Sequence, residues 1–300
     1  MTSNLSASVL ARLLTLAKQR GDDYNLLLSR FAMERFLARI SASSHADRFL
    51  LKGALLFALW YETPHRPTRD ADLLGFGPDD AADLIATFQQ VASMELGDGI
   101  LFDAESVKAG TIREDNTYGG TRISLVGRIG SARCALQIDV GFGDAVTPQA
   151  QTAVYPTLLA DFAAPTLRVY PVYTVIAEKY QAMVMLGLAN TRMKDFFDLA
   201  VIAQRTALDG ALLATAIAAT FARRQTALPV ERPVALTPQF SEDPGKRRQW
   251  QAFLGKNRIT ASDLPQTVAL LADLLWPPTQ VAASNSPATA TWSPGDSRWI

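Results

Sequence analysis

Apolar residues recur at helical spacing through much of the chain, but not through its middle. Val9, Leu10, Leu13 and Leu16 predict a helix over 6–19, and Leu26, Leu27, Phe31, Phe36 and Leu37 a second over 23–41. Leu51, Leu55, Leu56 and Leu59 continue the same period over 50–61. Then the pattern changes. In Asp70-Ala71-Asp72-Leu73 polar and apolar positions alternate, the period of a strand with unlike faces, bounded by Pro67 and a turn over 75–78. Helical spacing returns at 79–94. From 100 to 141 strand character dominates, through Ile123, Leu125, Val126, Ile129 and the run 134–140, with turns at Gly119-Gly120 and Gly130-Ser131. Helices are predicted again over 172–188, 192–206, 208–224, 246–254 and 261–275.

Helices, then strands, then helices make an α+β protein. The reading divides it into N-terminal helices with a sheet domain over 1–170 and a helical region over 171–276 that completes the active site. Residues 277–300, with Pro277-Pro278 and many Ser, Ala and Thr, read as a disordered tail. The single cysteine, Cys134, excludes an intramolecular disulfide. With two histidines it leaves carboxylates as the donors for any metal, which favours a hard ion, Mg2+ or Mn2+. No stretch approaches the roughly 18 apolar residues of a membrane span. Arg12 and Lys18 interrupt the N-terminal leucines, so a cytoplasmic protein with no membrane partner is expected. A net charge of zero conceals two unlike regions: eight Lys/Arg against fifteen Asp/Glu over 61–170, and eight against three over 221–260. Such asymmetry suits different surfaces for different partners, or simply two solvated faces.

Asp70 and Asp72 fall two apart on the expected strand, hence on one face and about 6–7 Å apart. Placed so, they either grip a divalent ion or belong to a solvated turn. Asp139 stands in Leu136-Gln137-Ile138-Asp139-Val140-Gly141, where the apolar positions share one face and Asp139 takes the other. An acid in such a run is either a third ligand or an exposed edge residue. Three acids of this kind serve phosphoryl or nucleotidyl transfer. Lys52-Gly53 allows close approach of a phosphate to the backbone, and Arg66, Thr68 and Arg69 flank the acid pair; each is a candidate nucleotide contact or an ordinary solvated residue.

Further on, Ile176, Lys179, Met183 and Leu186 share a helical face, so Lys179 lies on an apolar stripe and needs either phosphate oxygens or a nearby acid. Asp195, on a face with Leu199 and Ile202, is a partner for that lysine or for a metal ligand, and Asp198 follows it.

Taken together, these segments resemble the nucleotidyl transferase AbiEii/AbiGii toxin family, which includes the MenT toxins. The resemblance rests on Arg48-Phe49-Leu50-Leu51-Lys52-Gly53-Ala54-Leu55-Leu56, Arg66-Pro67-Thr68-Arg69-Asp70-Ala71-Asp72-Leu73, Gln137-Ile138-Asp139-Val140-Gly141-Phe142-Gly143-Asp144, Glu178-Lys179 and Lys194-Asp195-Phe196-Phe197-Asp198-Leu199. It implies a polymerase-β-type nucleotidyltransferase fold, a mixed sheet flanked by helices. It implies Asp70 and Asp72 as metal ligands, Asp139 as a third acid, Lys179 as a triphosphate contact and Asp195 as an essential acid. It also implies a toxin with a cognate antitoxin, an NTP as substrate and a tRNA 3′ end as acceptor. One departure is Ala54, where relatives often carry a second glycine or a serine.

Two other readings compete: phosphoryl transfer or nucleotidylation of a protein, and a non-catalytic nucleotide- or RNA-binding regulator. An RNA acceptor needs cationic surface. The sequence offers Arg247 and Arg248 beside Trp250, a candidate for stacking on a base, or else Arg30, Arg35 and Arg39 on the N-terminal helices.

Overall fold

Asp23, Asp80, Asp209, Asp243 and Asp263 each accept a hydrogen bond from the backbone N–H three residues on, at 2.7–2.9 Å. Each satisfies a donor that a helix start would otherwise leave open. These caps help set the helix boundaries in the computed structural model, which describes residues 2–61, 66–112, 120–284 and 290–300. The chain forms two units, Met1–Gly143 with Ala150–Tyr170, and Asp144–Gln149 with Pro171–Ile300.

The first unit contains, in chain order, α1 (Thr2–Arg20), α2 (Tyr24–Ala42), β1 (Phe49–Lys52), the short α3 (Phe57–Trp60), β2 (Ala71–Gly75), α4 (Ala81–Ala92), β3 (Leu101–Thr111), β4 (Gly120–Ile129), β5 (Ala132–Phe142), β6 (Gln151–Val154) and β7 (Thr166–Val169). Among the described residues its strands make one mixed sheet in the order β3-β4-β5-β2-β1-β7-β6. Strands β2 and β5 run parallel, as do β1 and β7. Helix α2 packs on β5 and β7, α1 on β4, and α4 on β3. Ala71, Leu73, Ile123, Leu125, Leu136, Ile138 and Val140 are buried. The residues that alternate with them, Asp72, Arg122 and Asp139, are not. This is the mixed sheet flanked by helices that the resemblance implies. Gly119, half of one expected turn, lies outside the described residues; the other turn, Gly130-Ser131, joins β4 to β5.

Residues 50–61 are not the continuous helix that their leucines suggest. Phe49–Lys52 form β1, and a 3-10 turn over Gly53–Leu56 leads into α3. Phe49, Leu50 and Leu51 are all buried, and an unbroken apolar run fits a strand covered on both faces as well as it fits a helix. Arg35 and Arg39 do not offer an RNA surface. Both guanidiniums are buried around Asp98, which accepts from Arg35 Nε at 2.9 Å and from Arg39 Nη1 and Nη2 at 2.7 and 3.0 Å. Burial opposes the Asp98 charge, but the two arginines outweigh it and hold its pKa below the usual carboxylate value.

The second unit contains α5 (Val172–Leu186), α6 (Met193–Arg205), β8 (Leu208–Asp209), α7 (Gly210–Arg223), α8 (Pro238–Ser241), α9 (Pro244–Asn257), α10 (Leu264–Ser284), β9 (Thr291–Ser293) and β10 (Arg298–Trp299). Helix α7 packs against α5 and α10, and α10 also covers α6. The expected disordered tail is instead partly built into this unit. Helix α10 runs through Pro277 and Pro278 to Ser284. Proline removes a helical hydrogen bond, but Pro278 and Thr279 are buried, and the Thr279 hydroxyl meets the Leu275 carbonyl at 2.6 Å and Tyr180 Oη at 3.2 Å. Trp292 on β9 is fully buried and donates to the Ala203 carbonyl at 2.7 Å, and β9 pairs with both β8 and β10. No helix among the described residues is long and apolar enough to cross a membrane.

Glu34 on α2 yields a pH test of the first unit. Its carboxylate is buried, accepts the Leu158 N–H at 2.7 Å and lies 3.4 Å from Arg35 Nη1. Burial outweighs these contacts and pushes its pKa up to about 7. Between the unfolded value near 4.5 and about 7, the folded protein therefore holds a proton that the unfolded chain has released. Stability from this group is greatest at the acid end of that window and is lost as pH rises through 7. Glu34→Gln is expected to flatten the urea-unfolding free energy between pH 5 and 8 relative to wild type, by up to about 3 kcal/mol. Parallel profiles for the two proteins would contradict the assignment.

Candidate active site

Four strands bring four charged residues into one row. Lys52 on β1 pairs in register with Asp72 on β2, Asp72 with Asp139 on β5, and Asp139 with Arg122 on β4. Residues paired in register point to the same face of a sheet, and neighbouring strands lie about 4.8 Å apart. The row thus reads cation, acid, acid, cation, on the face opposite Leu73 and Val140. Asp70, just before β2 begins, is exposed, and its charge acts on Arg122 together with that of Asp72. Arg66 and Thr68 lie in the irregular stretch leading into β2, where Thr68 Oγ1 donates to the Asp70 carbonyl at 3.4 Å.

Gly53 makes room for this row. Its φ of +72° is a conformation that side chains avoid, and a Cβ there would stand 2.0 Å from Asp72 Oδ2. Next to it, Lys52 Nζ sits 5.7 Å from the Tyr170 ring centre and would lie 3.6 Å from a Cβ at Gly141. The bare Gly53 therefore lets the Asp72 carboxylate pack directly against the backbone that follows β1.

Arg122 is the member of the row that the sequence reading missed. Its Nε and Nη2 donate to Asp139 Oδ1 and Oδ2, both at 2.8 Å. That hydrogen bonding, and next the charges of Asp139, Asp70 and Asp72, hold the guanidinium pKa above its ordinary value against the effect of burial. The signal was present: Gly130-Ser131 closes a hairpin in which Ile129 faces Ala132, and Arg122 and Asp139 are equally far from that turn.

The acids fit a divalent metal in donor type, since carboxylate oxygens suit Mg2+ or Mn2+, and Asp72 and Asp139 are neighbours in register. Among the described residues, however, no three acids, histidines or cysteines are yet gathered closely enough to hold an ion. Both oxygens of Asp139 are engaged by Arg122.

The second unit holds its own charge cluster. Lys179 Nζ, on α5, donates to Asp195 Oδ1 at 2.7 Å and to Asp198 Oδ2 at 2.8 Å, both on α6. Arg192 Nε lies 2.8 Å from Asp195 Oδ2. Burial opposes the lysine charge, but the two aspartates prevail and keep its pKa above the ordinary lysine value. Burial likewise opposes the Asp195 charge, yet Lys179 and Arg192 hold its pKa down. Beside these, Arg224 meets Asp144 Oδ1 at 3.0 Å, Gln181 Oε1 at 3.0 Å and Glu178 Oε2 at 3.5 Å. Of the expected RNA contacts, Arg247 and Arg248 are exposed on α9, but Trp250 is not available for stacking. It is 1% exposed and its indole N–H donates to the Ser262 carbonyl. Lys246, Trp250 and Leu254 are the buried stripe of that helix, at intervals of four.

Lys179→Ala is expected to leave two buried carboxylates without their cation, a loss of about 3–5 kcal/mol. Urea unfolding measures it; a change under 1 kcal/mol would show that the trio carries no structural weight.

No curated protein sequence matches the chain significantly. A Helicobacter pylori crystal structure described as a candidate nucleotidyltransferase is similar in fold, with a TM-score of 0.50, 14% identity, and coverage of 88% of this chain and 99% of that one. JHP933 from Helicobacter pylori aligns with a TM-score of 0.49 and 14% identity, over 88% of this chain and 94% of that one. The family model described as nucleotidyl transferase AbiEii toxin, type IV toxin–antitoxin system, matches residues 35–276. That span includes the whole row from Lys52 to Asp139 and the Lys179 cluster, and the chain belongs to the AbiEii family of nucleotidyltransferase toxins.

Proposed function

We propose that this toxin transfers a nucleotide from an NTP to an RNA acceptor, the tRNA 3′ end, with Mg2+ or Mn2+ held by Asp70, Asp72 and Asp139. The observation that carries the proposal is the row Lys52–Asp72–Asp139–Arg122, with Asp70 beside it and the Asp72 carboxylate packed against Gly53. In the reaction, the acceptor hydroxyl oxygen forms a bond to the α-phosphorus while the bond to the β-phosphate bridging oxygen breaks, and pyrophosphate leaves. A divalent cation supplies charge neutralisation of the phosphates and acidifies the attacking hydroxyl. The chain's own residues position and stabilise charge. Lys52, Arg66 and Thr68 are suited to phosphate oxygens, and the bare Gly53 backbone lets them approach. Lys179 has three N–H donors, of which Asp195 and Asp198 take two. A triphosphate oxygen would take the third, with Asp195 fixing the ammonium. Arg247 and Arg248 provide exposed cationic surface for RNA phosphates. The cytoplasm supplies both substrates, and the family implies an antitoxin partner.

The decisive experiment incubates the pure protein with total RNA, Mg2+ and each labelled NTP in turn. Label is expected in tRNA with at least one NTP; label confined to protein, or absent from every product, would overturn the RNA reading. Asp70→Asn and Asp72→Asn are each expected to lower turnover a hundredfold or more, about 3 kcal/mol of barrier, with the fold intact by circular dichroism. Gly53→Ala is expected to match them, because its methyl group would fall 2.0 Å from Asp72 Oδ2 and displace that carboxylate. Full activity in Asp72→Asn would remove the metal triad from the account.

A further inference from the structure

Arg122 stands where the metal reading leaves a contradiction: the third acid is already bound. Its guanidinium forks onto both carboxylate oxygens of Asp139 at 2.8 Å, the geometry that uses the lone pairs a metal would need. It also feels Asp70 and Asp72, so the one side chain faces all three acids. The pair is not locked away, since the Arg122 side chain is 42% exposed and that of Asp139 19%. An ion pair so placed is weak enough to be exchanged. Three carboxylates on one sheet face repel one another when no cation is present. A tethered cation relieves that repulsion without closing the site.

We propose that Arg122 is a positioning residue that competes with the divalent cation for Asp139: it aligns and neutralises this acid while no metal is bound, and yields it when metal enters beside Asp70 and Asp72. The inference rests on the metal reading proposed above. It means that the bare protein binds metal more weakly than its three acids alone would, and is more stable without metal than they alone would permit.

Mn2+ titration of the full chain without nucleotide, followed by electron paramagnetic resonance and calorimetry, tests it. Arg122→Gln is expected to bind Mn2+ roughly three- to tenfold more tightly than wild type, the scale of a half-exposed bidentate pair. Its melting temperature is expected to fall without metal and to recover with Mn2+. Arg122→Lys, which keeps the charge and loses the fork, falls between the two and carries the comparison if the glutamine variant does not fold. In an Asp139→Asn background the Arg122→Gln change is expected to leave Mn2+ affinity unaltered. Equal or weaker binding by both Arg122 variants overturns the proposal. So does an undiminished gain in the Asp139→Asn background, which would make Arg122 a general repulsive charge. Wild-type affinity in Asp72→Asn would instead overturn the metal reading itself, and the competition with it.

Discussion

A strand covered by helices on one side must send every charged side chain to the other, because an uncompensated charge under the helices would cost several kcal/mol. In the first unit α1, α2 and α4 impose this rule on β3, β4, β5 and β7. The row of Lys52, Asp72, Asp139 and Arg122 follows from it together with pairing register. Alternation decides the face, and register decides the neighbours. Slipping β5 by one residue would turn Asp139 under the helices and bring Ile138 or Val140 into the row. The apolar residues between the acids thus do as much to build the site as the acids themselves.

The two units treat buried charge with opposite stoichiometry. Around Asp98, one carboxylate serves two arginines, which also donate to the carbonyls of Met94, Ile100 and Ala163. Around Lys179, one ammonium serves two carboxylates, with Arg192 on the far oxygen. The Asp98 cluster ties elements distant in sequence, the Lys179 cluster two consecutive helices, and both are worth more for what their loss would expose than for what they add. The Arg122–Asp139 pair differs from them in being half open to water, so it can be exchanged where they cannot.

How far the sequence could be read depended on how local the signal was. Asp70, Asp72 and Asp139 were legible because Ala71, Leu73, Ile138 and Val140 alternate with them. The helices over α5, α6 and α7 were legible from spacing. Strand β1 was not, since Phe49-Leu50-Leu51 carries no period, and its identity is decided by burial between β2 and β7. Trp250 was misread because its neighbours in the chain are basic, whereas its neighbours on the helix face are Lys246 and Leu254, both buried. Helix α10 ran past Pro277 for a similar reason: tertiary contacts of Pro278 and Thr279 outweigh a local preference against helix. Arg122 required the register of a hairpin whose turn was recognised but not counted outward.

Strand β9 has a temporal consequence. It pairs with β8, and Trp292 covers the Ala203 carbonyl at the end of α6, although the chain is made through α7, α8, α9 and α10 before β9 exists. A ribosome adds about 5–20 residues per second. During that interval the nascent second unit has an apolar hollow where the indole belongs and an unpaired edge at β8. The first unit's sheet, by contrast, has all its strands by Val169. A growing chain of this toxin therefore carries the strands of the acidic row well before it contains Trp292, the residue whose indole N–H meets the Ala203 carbonyl.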